Sequence, residues 1–312
     1  MKLFHSKGQG LKPVKVAPFK LESEIQSLVE GNAEVLFGLQ MVVSELRVQD
    51  KRFDSLCFDE ETKSFVIIEY KKGASYSVID QGYTYLSLML SNKADILLEY
   101  NETTGRQLRR GDIDWSQSRI IFISPKFTEY QRMSVNFKNL PFELFEIQNY
   151  DNGMVGLTAI ATDSEVDIKS VVPIAGKDNV VQKVSQEVIR YDEDYHLNPK
   201  KGGPSPAIKE LYGALKERIM LLSDEIDVKV KKMTIGFNLG KVTVCDVKLQ
   251  SASMPVVINM RKGQLKDRLN LAEDVSEKGH HGNGDYRFGV KSEDDVEYAL
   301  YLIKQSLKDK ED

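Results

Sequence analysis

The sequence predicts a mixed-sheet α/β domain followed by a smaller α+β domain. A chain of 312 residues is long for one hydrophobic core, so two domains are expected. Segments with helix and strand periodicity first follow in the order helix, strand, hairpin, helix, strand, helix and strand, which is typical of a mixed sheet. A polar, proline-containing stretch then precedes alternating strands between two helices. We therefore assign residues 1–164 to the first domain, 165–206 to a linker and 207–312 to the second domain.

The composition is that of an ordinary globular protein, with 41% hydrophobic and 29% charged residues. The formal net charge is −4, whereas many nucleic-acid-binding domains are basic. A nuclease can nevertheless concentrate its basic residues along one groove. Cys57 and Cys245 each lie in a strand-like run, which indicates buried free thiols and a reducing cytoplasm. Because no apolar run approaches the roughly 20 residues of a membrane span, we expect a cytoplasmic protein without a membrane partner.

The first element of the larger domain is an amphipathic helix predicted over residues 21–34. Its apolar residues recur at helical spacing: Leu21, Ile25, Leu28 and Val29. Glu22 and Glu24 lie in the first turn, where acidic side chains interact favourably with the helix dipole. The preceding residues 1–20 are rich in lysine, which fits either an arm that contacts a phosphate backbone or a solvated tail.

The next element, residues 52–72, is predicted to be a hairpin and forms the first candidate site. A polar turn separates an alternating strand from a short apolar run at residues 65–68, typical of a buried strand. A hairpin can bring Asp54 beside Glu69. Glu69 and Lys71 are two residues apart, so their side chains leave the same face of a strand. Two carboxylates and a lysine at the end of buried strands are costly unless they are paired or bound to a metal.

The types of these residues suit a divalent ion. Mg²⁺ prefers carboxylate oxygens and water, so Asp54, Glu69 and the backbone carbonyl of Tyr70 can hold one ion. Such an ion would lower the pKa of a water molecule, and Lys71 could orient that water and stabilise charge on a phosphate. The alternative is an ion pair of Glu69 with Lys71 or Lys72 on an exposed strand end.

After the hairpin, residues 73–75 are predicted to form a loop and residues 76–90 a helix. Gln81 and Tyr85 are four residues apart and share one face of this helix. A packing or capping role for Gln81 is the alternative to a role in the site. The remaining predicted elements are a strand at 119–124, a helix at 127–137, a strand at 142–147 and an edge strand at 155–160.

This arrangement resembles the PD-(D/E)xK nuclease-like superfamily. The resemblance is carried by Asp54, by Glu69-Tyr70-Lys71, by the helix at residues 21–32, and by Asp80-Gln81-Gly82-Tyr83-Thr84-Tyr85-Leu86, which is similar to a Q-x-x-x-Y helix. These elements follow in the order of the superfamily and cover residues 18–150. The segment is similar to mismatch-type endonuclease domains, and the whole chain resembles bacterial proteins that join such a domain to an uncharacterised carboxy-terminal one.

The resemblance implies a restriction-endonuclease-like core and a metal-dependent endonuclease that hydrolyses DNA phosphodiester bonds. It assigns Mg²⁺ or Mn²⁺ to Glu22, Asp54, Glu69 and the Tyr70 carbonyl, with Glu24 as the second choice for the helix acid. It assigns Lys71 to the activation of water, Gln81 to positioning of water or substrate, and Tyr85 to support of Gln81. DNA is the expected partner, and a homodimer fits the many nucleases of this fold that cut both strands. The alternative is a catalytically silent module that binds nucleic acid or a protein.

The second domain is predicted to have helices at residues 208–222 and 293–307 with strands between them. It resembles the uncharacterised carboxy-terminal domain, so recognition of DNA, of a protein partner or of a second copy is expected. The segment Gly279-His280-His281-Gly282-Asn283-Gly284-Asp285 is a second candidate site. Its glycines permit left-handed backbone and bare amides that can bind an anion, whereas the alternative is a tight structural turn. The adjacent histidines would face opposite ways on a strand, which argues against one shared metal ion.

Overall fold

The computed structural model describes residues 2–8, 10–72, 78–137, 140–161, 164, 166 and 180–311. The predicted loop at 73–75, the first two residues of the predicted 76–90 helix, and residues 165 and 167–179 of the predicted linker lie outside this part. The chain divides into two compact units, residues 1–190 and 191–312, so the boundary falls inside the segment predicted as a linker.

The first unit contains the following helices and strands among its described residues. They are β1 (Phe4–Lys7), β2 (Gly10–Pro13), α1 (Glu22–Glu30), α2 (Ala33–Phe37), β3 (Gln40–Val48), β4 (Lys51–Asp59), β5 (Ser64–Tyr70), α3 (Val78–Ser91), α4 (Lys93–Thr104), β6 (Arg119–Ser124), α5 (Glu129–Ser134), β7 (Phe142–Asn149), β8 (Val155–Ala159) and α6 (Val180–Glu187), with short 3₁₀ turns at Arg110–Asp112 and Trp115–Gln117.

Strands β3 to β8 form a mixed six-stranded sheet in chain order. The pairs β3–β4, β4–β5 and β7–β8 are antiparallel, whereas β5–β6 and β6–β7 are parallel. The parallel pairs follow from the crossovers through α3 and α4 and through α5, since parallel neighbours cannot be joined by a tight hairpin. This sheet confirms the predicted mixed-sheet α/β class of the first domain.

Strand β5 lies in the middle of this sheet and is buried along its whole length. Phe65 and Ile67 pack into the core that includes residues of α3 and α4, while Val66, Ile68 and Tyr70 pack into the core that includes residues of α1 and α2. Burial on both faces explains why this strand has a continuous apolar run in the sequence.

The second unit carries an antiparallel six-stranded sheet among its described residues, in the order β13-β14-β12-β11-β10-β9. Its elements are α7 (Glu193–Leu197), α8 (Pro206–Met220), β9 (Ile226–Val230), β10 (Ile235–Leu239), β11 (Val242–Val247), β12 (Met254–Ile258), β13 (Glu273–Asp274), β14 (Tyr286–Val290) and α9 (Glu293–Glu311). Helices α8 and α9 pack with the sheet in one apolar core, which confirms a second, smaller α+β domain.

Several boundaries differ from the prediction. The helix predicted at residues 21–34 is interrupted at Gly31-Asn32, as those residues indicate, but α2 then extends to Phe37 where the approach to a strand was predicted. Residues 1–20 include the exposed hairpin of β1 and β2. Within the predicted linker, α6 buries Val184 in the core of the first unit. Glu193 of α7 accepts a 2.8 Å hydrogen bond from the Tyr212 hydroxyl in the second unit. Among the described residues, none of the helices is both long and apolar enough to cross a membrane.

Gly82 in α3 is packed directly against Phe142 of β7. A Cβ atom at residue 82 would lie 2.5 Å from Phe142 Cζ, and this ring is enclosed by Tyr83 and Phe122. We therefore expect Gly82→Ala to lower the free energy of unfolding of the first unit by about 1–3 kcal/mol, because the helix or the ring must shift. Denaturant unfolding followed by the fluorescence of Trp115, the only tryptophan, measures this change.

The matched control is Gly111→Ala in the same unit, where an added Cβ meets open space. We expect its unfolding free energy to stay within about 0.5 kcal/mol of the original chain. Equal stability of the Gly82 and Gly111 variants would contradict the packing of α3 on β7 described above.

Candidate active site

The candidate site lies where β5 ends, beside the neighbouring strand β4. Ser55 pairs with Ile68 in the antiparallel register, which places Asp54 next to Glu69. The Lys71 ammonium lies 2.7 Å from Glu69 Oε1, and the two side chains are only 12% and 4% exposed. Asp54 Oδ2 accepts a 3.1 Å hydrogen bond from the Tyr70 backbone amide. The fold thus brings both carboxylates and the lysine together.

Helix α3 contributes the second pair of predicted residues. Gln81 Nε2 donates a 2.5 Å hydrogen bond to Glu69 Oε1, the same oxygen that Lys71 contacts. A side-chain hydrogen bond joins Gln81 to Tyr85, whose ring packs against Phe53 at a centroid distance of 5.2 Å. The helical spacing of Gln81 and Tyr85 therefore directs both residues towards the site, as the sequence indicated.

Helix α1 decides between the two acidic residues of its first turn. Glu22 Oε2 accepts a 2.8 Å hydrogen bond from the Lys72 backbone amide, directly after β5. Glu24 Oε2 instead accepts a 2.7 Å bond from the Lys20 amide, so it caps its own helix. Glu22 is consequently the acid that α1 brings to the end of β5.

Burial and charge shift the pKa values of the acidic groups in this site. Burial, and then the negative charge of Asp54, raise the pKa of Glu69 to about 7, although Lys71 and Gln81 oppose the shift. Burial also raises the pKa of Asp54, against the Tyr70 amide and the Lys71 charge. Both carboxyl groups are therefore harder to ionise than a free carboxyl group, first of all because they are buried.

The pKa of Lys71 shifts in the direction opposite to the one that burial alone would give. Burial lowers the pKa of Lys71, but the charge and hydrogen bond of Glu69, followed by the charges of Asp54 and Glu22, outweigh it and raise the pKa overall. For Tyr85, burial itself raises the pKa, and the Glu69 charge raises it further. The site therefore favours a charged lysine and a neutral tyrosine.

The donor atoms suit a hard divalent ion in part. Glu69 Oε2 is buried and has no hydrogen-bond partner among the described residues, so this oxygen is available for a cation. Asp54 and the Tyr70 carbonyl supply further oxygen donors of the same kind. Within the described part of the chain, however, no three carboxylate, histidine or cysteine side chains form one metal-sized cluster. Glu22 is turned to the Lys72 amide.

A hydrogen-bond network on the opposite face of the sheet supports the hairpin. Glu30 Oε1 accepts bonds from Gln26 (3.0 Å), Ser44 (2.8 Å) and Ser55 (2.6 Å), and the Ser55 hydroxyl lies 2.9 Å from the Tyr70 hydroxyl. Gln26 also donates to the Asp54 carbonyl at 3.3 Å. The sequence interpretation did not include Gln26, Glu30, Ser44 or Ser55 in the site. Gln26 and Glu30 could have been found from the sequence, because the four-residue spacing of Glu22, Gln26 and Glu30 puts three polar residues on one face of α1.

A comparison with curated proteins finds a relative along nearly the whole chain. An uncharacterized protein of Haemophilus influenzae is 41% identical over 310 residues, covering 99% of this chain and 100% of that protein. The chain belongs to the family of that protein. A family model described as a domain of unknown function (DUF5655) matches residues 200–309, which lie within the second unit. This chain thus joins a DUF5655 domain to the mixed-sheet unit that holds the candidate site.

The solved structures that resemble this chain align with only part of it. A repair endonuclease from Pyrococcus abyssi has a TM-score of 0.27 and 19% identity, over 42% of this chain and 50% of that one. EndoMS in its apo form has a TM-score of 0.28 and 15% identity, over 47% and 64% of the two chains. SfsA of Pyrococcus furiosus with Ca²⁺ has a TM-score of 0.26 and 12% identity, over 52% and 78%. The chain spans half the length of the Pyrococcus abyssi protein, and overlaps this low do not establish a common overall fold.

The raised pKa of Glu69 predicts a pH-dependent stability of the metal-free protein. Because this pKa is about 7 in the fold and 4.5 as the reference value, the folded chain holds a proton that the unfolded chain releases between these pH values. The contribution of Glu69 to stability therefore falls as pH rises from 4.5 to 7. Glu69→Gln keeps an acceptor for Lys71 and Gln81 and removes the charge. We expect it to stabilise the first unit at pH 8, by up to about 3 kcal/mol, and much less at pH 5.

Denaturant unfolding with Trp115 fluorescence, in the presence of a chelator, measures this difference at the two pH values. Glu102→Gln, on an exposed position of α4, serves as the control and should change stability little at either pH. A stabilisation by Glu69→Gln that is equal at pH 5 and pH 8 would show that Glu69 titrates at its ordinary pKa.

Proposed function

We propose that the protein is a divalent-metal-dependent endonuclease that hydrolyses DNA phosphodiester bonds. The observation that carries the proposal is the buried Glu69 carboxylate. One of its oxygens is held by Lys71 and Gln81, and the other has no partner among the described residues. A buried carboxylate oxygen without a hydrogen bond is costly, which favours a site that receives a cation.

The chain's own residues would divide the work as follows. Asp54 and Glu69, with the Tyr70 carbonyl, would hold Mg²⁺ or Mn²⁺, which when bound supplies Lewis-acid activation of water. Glu22 would join these ligands only by leaving the Lys72 amide. The Lys71 ammonium would stabilise negative charge that develops on the phosphate, because it is oriented by Glu69 and largely buried. Gln81 would orient the attacking water or a phosphate oxygen, and Tyr85 would hold the Gln81 side chain in place.

A catalytically silent module is the second candidate function. The observation that favours it is the direct pairing of Lys71 with Glu69, which satisfies both charges without a metal ion or a substrate. In that case the first unit would bind nucleic acid or a protein without cleaving it. DNA as the partner and a homodimer as the working assembly are part of the endonuclease proposal and share its test.

The test is cleavage of labelled single-stranded, duplex and mismatched DNA in the presence of Mg²⁺ or Mn²⁺. We expect Asp54→Asn and Lys71→Met each to lower the cleavage rate by about 100-fold or more, because each removes a charge next to the reacting phosphate. Removal of the metal with a chelator should abolish cleavage of every substrate.

Matched controls are available on the same hairpin. Asp50→Asn and Lys51→Met alter an exposed ion pair where β4 begins, three residues before Asp54, and should leave the rate unchanged. Absence of cleavage by the original chain with either metal, together with DNA binding that Asp54→Asn does not weaken, would support the silent module. Cleavage that survives in both site variants would place the active centre elsewhere.

A further inference from the structure

The second unit contains a cavity on the face of its sheet that the helices do not cover. The cavity has a volume of about 150 Å³ and is lined by Lys248, Gln250, Pro255, Val257, Gly279, His280, His281 and Arg287. Val256, Ile258 and Phe288 point into the core beneath α8 and α9, so alternation along β12 and β14 turns Val257 and Arg287 to the other face. The cavity is therefore separate from the hydrophobic core.

The lining of this cavity carries positive charge. Among the described residues that line it, none is acidic. Arg287 donates from Nε at 3.1 Å and from Nη2 at 2.5 Å to Glu273 Oε2, a carboxylate that stands outside the lining and also pairs with Lys278. Burial, followed by the charges of Lys248 and His280, lowers the pKa of His281, as expected where the local potential is positive.

The loop that contributes the two histidines is held in place by a buried carboxylate. Asp246 Oδ2 accepts a 2.7 Å bond from the Asn283 backbone amide, and Asp246 Oδ1 lies 2.5 Å from the Lys231 ammonium. Gly282 and Gly284 have φ values of +114° and +112°, and a Cβ at residue 284 would lie 2.0 Å from the Ile258 carbonyl oxygen. Only glycine fits at residue 284, and the positive φ values explain why this candidate site contains glycine at both positions.

The histidine next to this anchor is fixed from both sides of its ring. His280 Nδ1 lies 2.8 Å from the Lys278 carbonyl oxygen, and His280 Nε2 lies 2.8 Å from the Gly284 carbonyl oxygen. Carbonyl oxygens only accept hydrogen bonds, so an N–H group at either ring nitrogen has an acceptor. The Asn283 backbone amide already donates its hydrogen bond to Asp246. The hydrogen-bond donors that an anion in the cavity would meet are therefore side chains.

We propose that this cavity binds a terminal phosphate group, carried by a small molecule or by the end of a nucleic-acid strand. Lys248 and Arg287 can offer charged donors to the several oxygens of a phosphate dianion, and the His281 ring can add an uncharged N–H donor. The volume corresponds to about five water molecules, which admits a phosphate group but excludes a duplex. The site lies in the second unit and does not depend on the endonuclease proposal.

Titration calorimetry of the full chain in a chelator tests the proposal with inorganic phosphate, a mononucleotide, and one oligonucleotide with or without a 5′-phosphate. We expect phosphate and the phosphorylated ligands to bind, and Lys248→Gln and His281→Gln each to weaken binding about tenfold. A preference of at least tenfold for the phosphorylated oligonucleotide over its 5′-hydroxyl form identifies a strand end as the source. Comparable binding of the mononucleotide without that preference identifies a small molecule.

Controls separate this site from general charge effects. Lys291→Gln and His5→Gln remove exposed residues outside the cavity and should leave affinity unchanged. Circular dichroism of each variant confirms that it is folded. Lack of phosphate binding, equal binding of acetate, or affinity that Lys248→Gln and His281→Gln leave intact would overturn the proposal.

Discussion

The antiparallel register of β4 on β5 is the constraint on which the candidate active site depends. Pairing of Ser55 with Ile68 puts Asp54 beside Glu69, at the edge where both strands leave the buried part of the sheet. A shift of one residue would move Glu69 and Lys71 to the face covered by α1 and away from Gln81. The two neighbouring carboxylates repel each other, so the site is stable only with Lys71 and its hydrogen-bond partners in place.

The two faces of the sheet share the task of fixing this register. On the α3 face, Gln81 reaches Glu69 directly. On the α1 face, Glu30 gathers hydroxyl and amide donors from α1, β3 and β4, and the Tyr70 hydroxyl joins through Ser55. Such a satisfied, partly buried network favours a single arrangement of the strands, because another register would break its hydrogen bonds. The candidate site is thereby held on rigid elements.

Each unit uses a buried carboxylate, but the two carboxylates differ in how fully they are satisfied. Asp246 has hydrogen-bond or ion-pair partners for both oxygens, supplied by Lys231, Thr234 and Asn283, so it acts as an anchor for the glycine-containing loop. Glu69 has partners for one oxygen and none among the described residues for the other. This difference separates a carboxylate that organises structure from one that is suited to receive a cation.

The sequence by itself determined the features that depend on local periodicity. Alternation and apolar runs gave the hairpin of Asp54 and Glu69, the two-residue spacing put Lys71 on the face of Glu69, and the four-residue spacing put Gln81 and Tyr85 on one face of α3. The resemblance ranked Glu22 before Glu24, and the tertiary structure shows the contact of Glu22 with the Lys72 amide, 50 residues away, whereas Glu24 bonds to Lys20 beside its own helix. The tertiary structure alone decided the unit boundary after Arg190 and the anchoring of Asn283 by Asp246. These features rest on contacts between residues far apart in the chain, which a local periodic pattern does not encode.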